Sequence, residues 1–321
     1  MIRLPKRIND VLKRKDEFLS KREVMLDKTS MRMQEQLLAK VLSDIIPKLD
    51  TKGGKILRTL RNYQLLGQLD KVYKDFDKVQ RVAFVKEVGD ATKGLALLNK
   101  GYFATTLGAS LPALFEKIAA DAYAIMDMRV GLKGGEIVSG GFLEALITDN
   151  SLLTELKNFM AKSVAAQTKT KDFIKGVNDI IVGVEGKPGG IQKQIDRFAH
   201  DLFMQYDSAM NNEMAQGLGM NSFLYQAGII ETTRDFCAAM DSKVWTREDA
   251  AAWPDWTPSQ GDYPVGYVIK QKDPDQIPSY IDYPGYAPLI DRGGFRCRHR
   301  IAWIPEELAY VYRAKEKNIE K

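Results

Sequence analysis

Cys237 and Cys297 are the two thiols of the 321-residue chain, and His299 stands two residues after the second. Three chemistries suit this set. The thiols can be buried side by side, as unpaired cysteines often are. They can join in a disulfide. They can bind zinc with His299, the fourth ligand coming from Asp241 or His200, although no CxxC spacing is present. Either cysteine with His299 is also the candidate nucleophile–base pair. The local sequence is Gly293-Gly294-Phe295-Arg296-Cys297-Arg298-His299-Arg300. If residues 296–303 form a strand, alternation puts Cys297, His299, Ile301 and Trp303 on one face. Arg296, Arg298 and Arg300 then share the other, facing solvent, an acidic partner or phosphate. Gly293-Gly294 supplies a tight entry.

Two further pieces precede this one. The first is Tyr225-Gln226-Ala227-Gly228. The second is Thr232-Thr233-Arg234-Asp235-Phe236-Cys237, followed by Trp245-Thr246-Arg247-Glu248. Thr232 or Thr233 is a good N-cap for a short helix through Phe236 and Cys237. Arg234 in its first turn opposes the helix dipole, which predicts a carboxylate partner among the Asp residues at 241–291.

Taken in order, these pieces resemble the signature of the Mu F-like phage head morphogenesis family, over roughly residues 190–305. The resemblance rests on Tyr225, Gly228, Thr233, Arg234, Phe236, Cys237, Trp245, Gly293, Gly294, Cys297, Arg298 and His299. It implies a minor head protein, present in few copies per virion and made in the host cytoplasm. The implied partners are the portal protein, the major capsid protein and packaged DNA, with a part in DNA delivery in some members. It implies no catalytic residues: the Cys237/Cys297/His299 cluster would be structural, with zinc left open, and Arg296 and Arg300 would meet a partner or phosphate. Some members carry the module fused to an enzymatic domain, and no such extra domain is legible here.

The elements that must position these residues fall into two regions. Residues 1–190 read as helix after helix, an arm or bundle. Leu38, Val41, Leu42, Ile45 and Leu49 line one helix face, with Ser20-Lys21-Arg22-Glu23 as a capping box ahead of it. Pro47 and Gly53-Gly54 mark a break. A second stripe runs Ile56, Leu60, Tyr63, Leu66, Leu69, Tyr73, Phe76. Glycines at 131, 134–135 and 140–141, and the glycine-rich loop at 186–190, divide the next hundred or so residues into shorter helices. Residues 191–321 read as a compact α+β domain. It opens on a helix carrying Ile191, Ile195, Phe198, Leu202, Tyr206 and Met210, stopped near Gly217 and Gly219. All four tryptophans, Trp245, Trp253, Trp256 and Trp303, lie in this region, as do many prolines. A last helix follows Pro305. The fold class expected is mainly α with a C-terminal α+β module.

Charge is uneven. Residues 1–40 hold 11 Lys/Arg and 6 Asp/Glu, residues 41–80 hold 8 and 5, and residues 239–290 hold 8 acidic and 4 basic side chains. The basic N-terminal quarter suits an acidic protein surface, nucleic acid, or simply solvent. The N-terminus lacks the apolar core of a signal peptide, and no run reaches membrane-spanning length. Walker, GxSxG and HExxH motifs are absent from the sequence. The expectation is a non-enzymatic virion protein. The alternatives are a DNA-binding virion protein and a toxin-like enzyme using Cys297 and His299.

Overall fold

A computed structural model describes residues 4–108, 113–133, 136–138, 150–231, 233–253, 287–294 and 297–319. The first helix, α1 (Lys6–Asp44), runs without a break. Ser20 therefore lies inside it and caps nothing. Its inward positions recur at helical spacing: Ile8, Val11, Leu12, Lys15, Leu19, Leu26, Ser30, Gln34, Leu37 and Val41 are buried, as is Ile45 just past its end. The period holds through Lys15, Ser30 and Gln34, so polar residues occupy core positions in this stripe.

A 3₁₀ turn (Ile46–Lys48) ends the helix, with Pro47 in its first turn. Strands β1 (Thr51–Lys52) and β2 (Lys55–Ile56) then form a minimal antiparallel hairpin. Gly53 and Gly54 turn it with φ of +58° and +74°, a conformation that favours glycine. Helix α2 (Leu60–Leu107) comes next. Its buried stripe is Asn62, Leu65, Leu69, Val72 and Phe76: Leu69 and Phe76 are buried as read from sequence, Tyr63, Leu66 and Tyr73 are half-buried, and at the helix start Leu60 is 75% exposed while Asn62 turns inward. Asn62 accepts from the Asp50 amide at 2.8 Å and donates to the carbonyls of Asp50 (3.0 Å) and Leu57 (2.7 Å), fixing the corner and the start of α2.

Helix α3 (Ala113–Val130) leads to a second hairpin, β3 (Leu132–Lys133) with β4 (Glu136–Ile137). Helices α4 (Ser151–Ala165) and α5 (Thr170–Ile181) precede a third, β5 (Gly183–Val184) with β6 (Lys187–Pro188). The Gly53-Gly54 break and the glycine-rich loop at 186–190 thus belong to short hairpins between helices, while Gly134, Gly135, Gly140 and Gly141 lie outside the described residues. Helix α6 (Gly190–Gly217) buries Ile191, Ile195, Leu202, Tyr206 and Met210, as its pattern predicts, and Gly219 at φ +67° lies just past its end.

The C-terminal part holds the one sheet of more than two strands among the described residues. Strand β7 (Ser222–Gln226) is central, antiparallel to β8 (Lys243–Thr246) and β9 (Arg300–Ile304). Short helices α7 (Asp235–Met240), α8 (Arg247–Ala251) and α9 (Pro288–Asp291) and the terminal α10 (Glu306–Ile319) complete it. The protein is mainly helical with a small antiparallel sheet in its C-terminal part.

The chain forms two compact units, neither continuous in sequence. One comprises residues 1–19, 92–127 and 201–321; the other comprises 20–91 and 128–200. A single cut between residues 190 and 191 does not describe this. The first turns of α1 belong with the C-terminal sheet, where Leu4, Ile8, Val11 and Leu12 are buried. No helix among the described residues is long and apolar enough to cross a membrane.

Candidate functional site

Strand β7 is buried from Ser222 to Tyr225 because covering groups meet both of its faces. Phe223 meets Trp303 and Trp253 edge-on at centroid distances of 5.1 and 5.8 Å. Tyr225, two residues on, meets Trp253 at 5.4 Å and Phe236 at 6.3 Å. Trp245 packs on Trp253 at 6.1 Å and donates its indole N–H to the Met240 carbonyl at 3.0 Å. Arg247 lies over the Trp303 ring at 4.1 Å and reaches Asn212 and the Met220 carbonyl. Thr246 and Asp249 form a capping box that starts α8. These aromatics make a stiff wall under the end of β7.

Just past the wall the chain must turn. Gly228 takes φ +79°. The amides of Ala227 and Gly228 point at one oxygen of Asp241, at 3.0 and 3.1 Å. Asp241 is the residue after α7, so the carboxylate ties the turn to the helix that carries Cys237. Thr233 does not cap that helix: its hydroxyl accepts from the Ile230 amide at 2.7 Å and closes the preceding turn. Arg234 is the N-cap residue and donates to the Gly293 carbonyl at 3.1 Å. Most of the Asp residues from which the sequence predicts a carboxylate partner, Asp255, Asp262, Asp273, Asp275 and Asp282, lie outside the described residues.

Gly293, Cys297 and His299 arrive from the other side. Arg292 at φ +53° and Gly294 at φ +81° fold the segment back, and the Cys297 amide bonds to the Gly294 carbonyl at 3.0 Å. The strand begins at Arg300, not at 296, so Cys297 and His299 sit in the irregular entry to β9. Both are nonetheless buried, as are Ile301 and Trp303, while Arg298 is exposed.

The result is one buried cluster. The sulfurs of Cys237 and Cys297 are 3.6 Å apart and unbonded. The Tyr225 hydroxyl lies 3.5 Å from each. His299 Nδ1 is 4.0 Å from the Cys297 sulfur, its ring stacks on Tyr225 at 5.1 Å, and its Nε2 faces Asp241 at 3.5 Å. The hydrogen bond between the thiols holds Cys297 well below its usual range, with His299 and Arg292 assisting; the same bond, and then burial, pushes Cys237 up. Burial also raises Tyr225.

Of the residues singled out from sequence, Tyr225, Phe236, Cys237, Gly293, Cys297 and His299 meet at the cluster; Gly228, Thr233, Arg234 and Gly294 shape its borders. Arg296 lies outside the described residues, as do Thr232, Trp256 and the side chain of His200. Arg300 departs from expectation. It turns inward: it pairs with Asp16, donates toward the Leu12 carbonyl, and burial lowers its pKa to about 10. Sequence reasoning missed a second buried polar group in the same unit. Lys15 Nζ lies 2.8 Å from Asp207 and 2.8 Å from Asn99, with side-chain exposures of 3% and 5% for the ion pair. A lysine in a basic helix carries no signal that would reveal this.

The cluster can hold a thiophilic cation or keep two thiols reduced side by side. Cys297 is 1% exposed and His299 4%, which leaves no open approach for a substrate carbonyl in this arrangement. No family model, curated protein or solved structure matches the chain.

Proposed function

We propose that the protein is a minor head protein of a tailed bacteriophage, with a Mu F-like C-terminal module, acting in head morphogenesis and docking on the portal or major capsid protein. The observation that supports this best is convergence. Tyr225, Phe236, Cys237, Gly293, Cys297 and His299 come from three separated pieces of the signature, and all six meet within one buried cluster. Residues that share no local element have reason to recur together when they close one module. The burial of Cys297 and His299 favours a structural over a catalytic role.

The first helix offers the docking face in this reading. Lys6, Arg7, Lys13 and Arg14 are exposed on α1, opposite its buried stripe. Their charge suits an acidic protein surface or the DNA that fills a head. Mass spectrometry of density-purified phage particles tests the assignment. The protein should be present at a few copies per particle. Its absence from particles, alongside abundance in the producing cell, would overturn the reading.

A further inference from the structure

We propose that Cys237, Cys297 and His299 bind a single zinc ion that clasps the C-terminal module, with Asp241 orienting the histidine from behind. This inference stands apart from the head-protein reading and rests on the cluster alone.

The spacing fits the ion. With zinc–sulfur bonds of about 2.3 Å and zinc–nitrogen bonds of about 2.0 Å, a tetrahedral site separates its sulfurs by about 3.8 Å and sulfur from nitrogen by about 3.5 Å. Here the sulfurs are 3.6 Å apart and Cys297 Sγ is 4.0 Å from His299 Nδ1. All three ligand atoms lie within 4.8 Å of one another and all three residues are buried. The cradle is also cleared for them: a β-carbon on Gly293 would stand 2.2 Å from one sulfur and 3.1 Å from the other.

The second layer places a carboxylate behind the histidine: Nε2 faces Asp241 but makes no hydrogen bond in this arrangement. Nδ1 faces the sulfurs, so Nε2 must carry the proton and needs an acceptor. Asp241 Oδ1 is 3.5 Å away, and the amides of Ala227 and Gly228 hold that oxygen. Neither a disulfide nor a plain thiol pair would need this histidine, in this orientation, backed by this carboxylate. Charge agrees as well. Two thiolates and a neutral imidazole neutralise a divalent cation, so the ion would be buried without net charge. Binding displaces the thiol protons to solvent, and the sulfurs become the ligands. The Tyr225 oxygen lies 3.5 Å from both sulfurs.

The test uses the full chain, purified under reducing conditions, stripped with a chelator and titrated with zinc and then with cobalt(II). The expected result is about one equivalent of zinc per chain and a cobalt complex with tetrahedral visible bands. Its thiolate-to-metal charge-transfer band should have the intensity of two thiolates. The chain has two cysteines in all, so that intensity in the unmutated protein identifies both ligands even if C237S and C297S fail to fold. Asp241→Asn should weaken zinc binding roughly 10–100-fold while keeping the same cobalt spectrum. Folded, stripped protein that takes up neither metal, or that binds cobalt without thiolate charge transfer, would overturn the site.

Discussion

Gly293 sits against Cys237 so closely that the smallest side chain would collide: a β-carbon there lies 2.2 Å from the Cys237 sulfur. The neighbours cannot yield cheaply, because Cys297 lies 3.1 Å away on one side and Phe236 at 3.6 Å on another. Gly293→Ala should therefore destabilise the protein by about 1–3 kcal/mol, the usual cost of overpacking a filled core. Urea denaturation measures it. An unchanged midpoint would show that the cradle is looser than described.

The buried Lys15–Asp207 pair should behave as a unit. Removing one partner strands the other charge away from water, which typically costs about 3–5 kcal/mol. Burial lowers the Lys15 pKa, against the opposing pull of Asp207, so the ammonium depends on its partner. Lys15→Met should be strongly destabilising, and the double variant Lys15→Met with Asp207→Leu should recover most of the loss. Thermal denaturation of the full cycle decides this. Additive single effects would mean that the pair is uncoupled.

Arg298 and Arg300 should separate cleanly. Arg300 is paired with Asp16 and mostly buried, but Asp16 is 48% exposed and solvent screens the pair. Arg300→Ala should cost about 1–2 kcal/mol. Arg298 is exposed, and Arg298→Glu should change stability by less than about 0.5 kcal/mol. If the module contacts DNA, the salt dependence of binding to duplex DNA should respond to Arg298→Glu and not to Arg300→Ala. The reverse result would contradict the placement of both side chains.

A fragment spanning residues 191–321 should not fold by itself. Leu4, Ile8, Val11, Leu12 and Lys15 are buried in the unit that contains the C-terminal sheet, and the Tyr102 hydroxyl donates to the Trp303 carbonyl at 2.6 Å. Circular dichroism and amide dispersion in NMR spectra report the outcome. A cooperative melt from that fragment would restore a boundary at 190/191. For the same reason, deleting the basic N-terminus does not isolate a docking arm. Charge reversal at Lys6, Arg7, Lys13 and Arg14 leaves the buried stripe intact and is the sounder probe.

The legible part of this fold is what local chemistry dictates. The stripe from Ile191 to Met210 and the stop at Gly217 follow from period and glycine, and Pro305 with two glutamates marks the last helix. The approach of Cys237 to Cys297 is visible as a pattern of motifs. The rest depends on contacts remote in sequence. Asn62 fixes the start of α2 through bonds to Asp50 and Leu57, so a polar residue is buried there and Leu60 is exposed, while Leu69 and Phe76 keep the face read from sequence. Arg300 reads as part of a surface row, yet Asp16, far away in sequence, takes it inward. Asp241 is one acid among many in the sequence, and only the fold brings its oxygen to two amides and a histidine.

The most direct test of the head-protein reading is capture of the tagged protein from cells producing the phage, with bound proteins identified by mass spectrometry. The expected result is recovery of portal or major capsid protein, lost when Lys6, Arg7, Lys13 and Arg14 are reversed in charge. Recovery of neither from the unmutated protein, with a soluble host substrate or nucleic acid in their place, would contradict it.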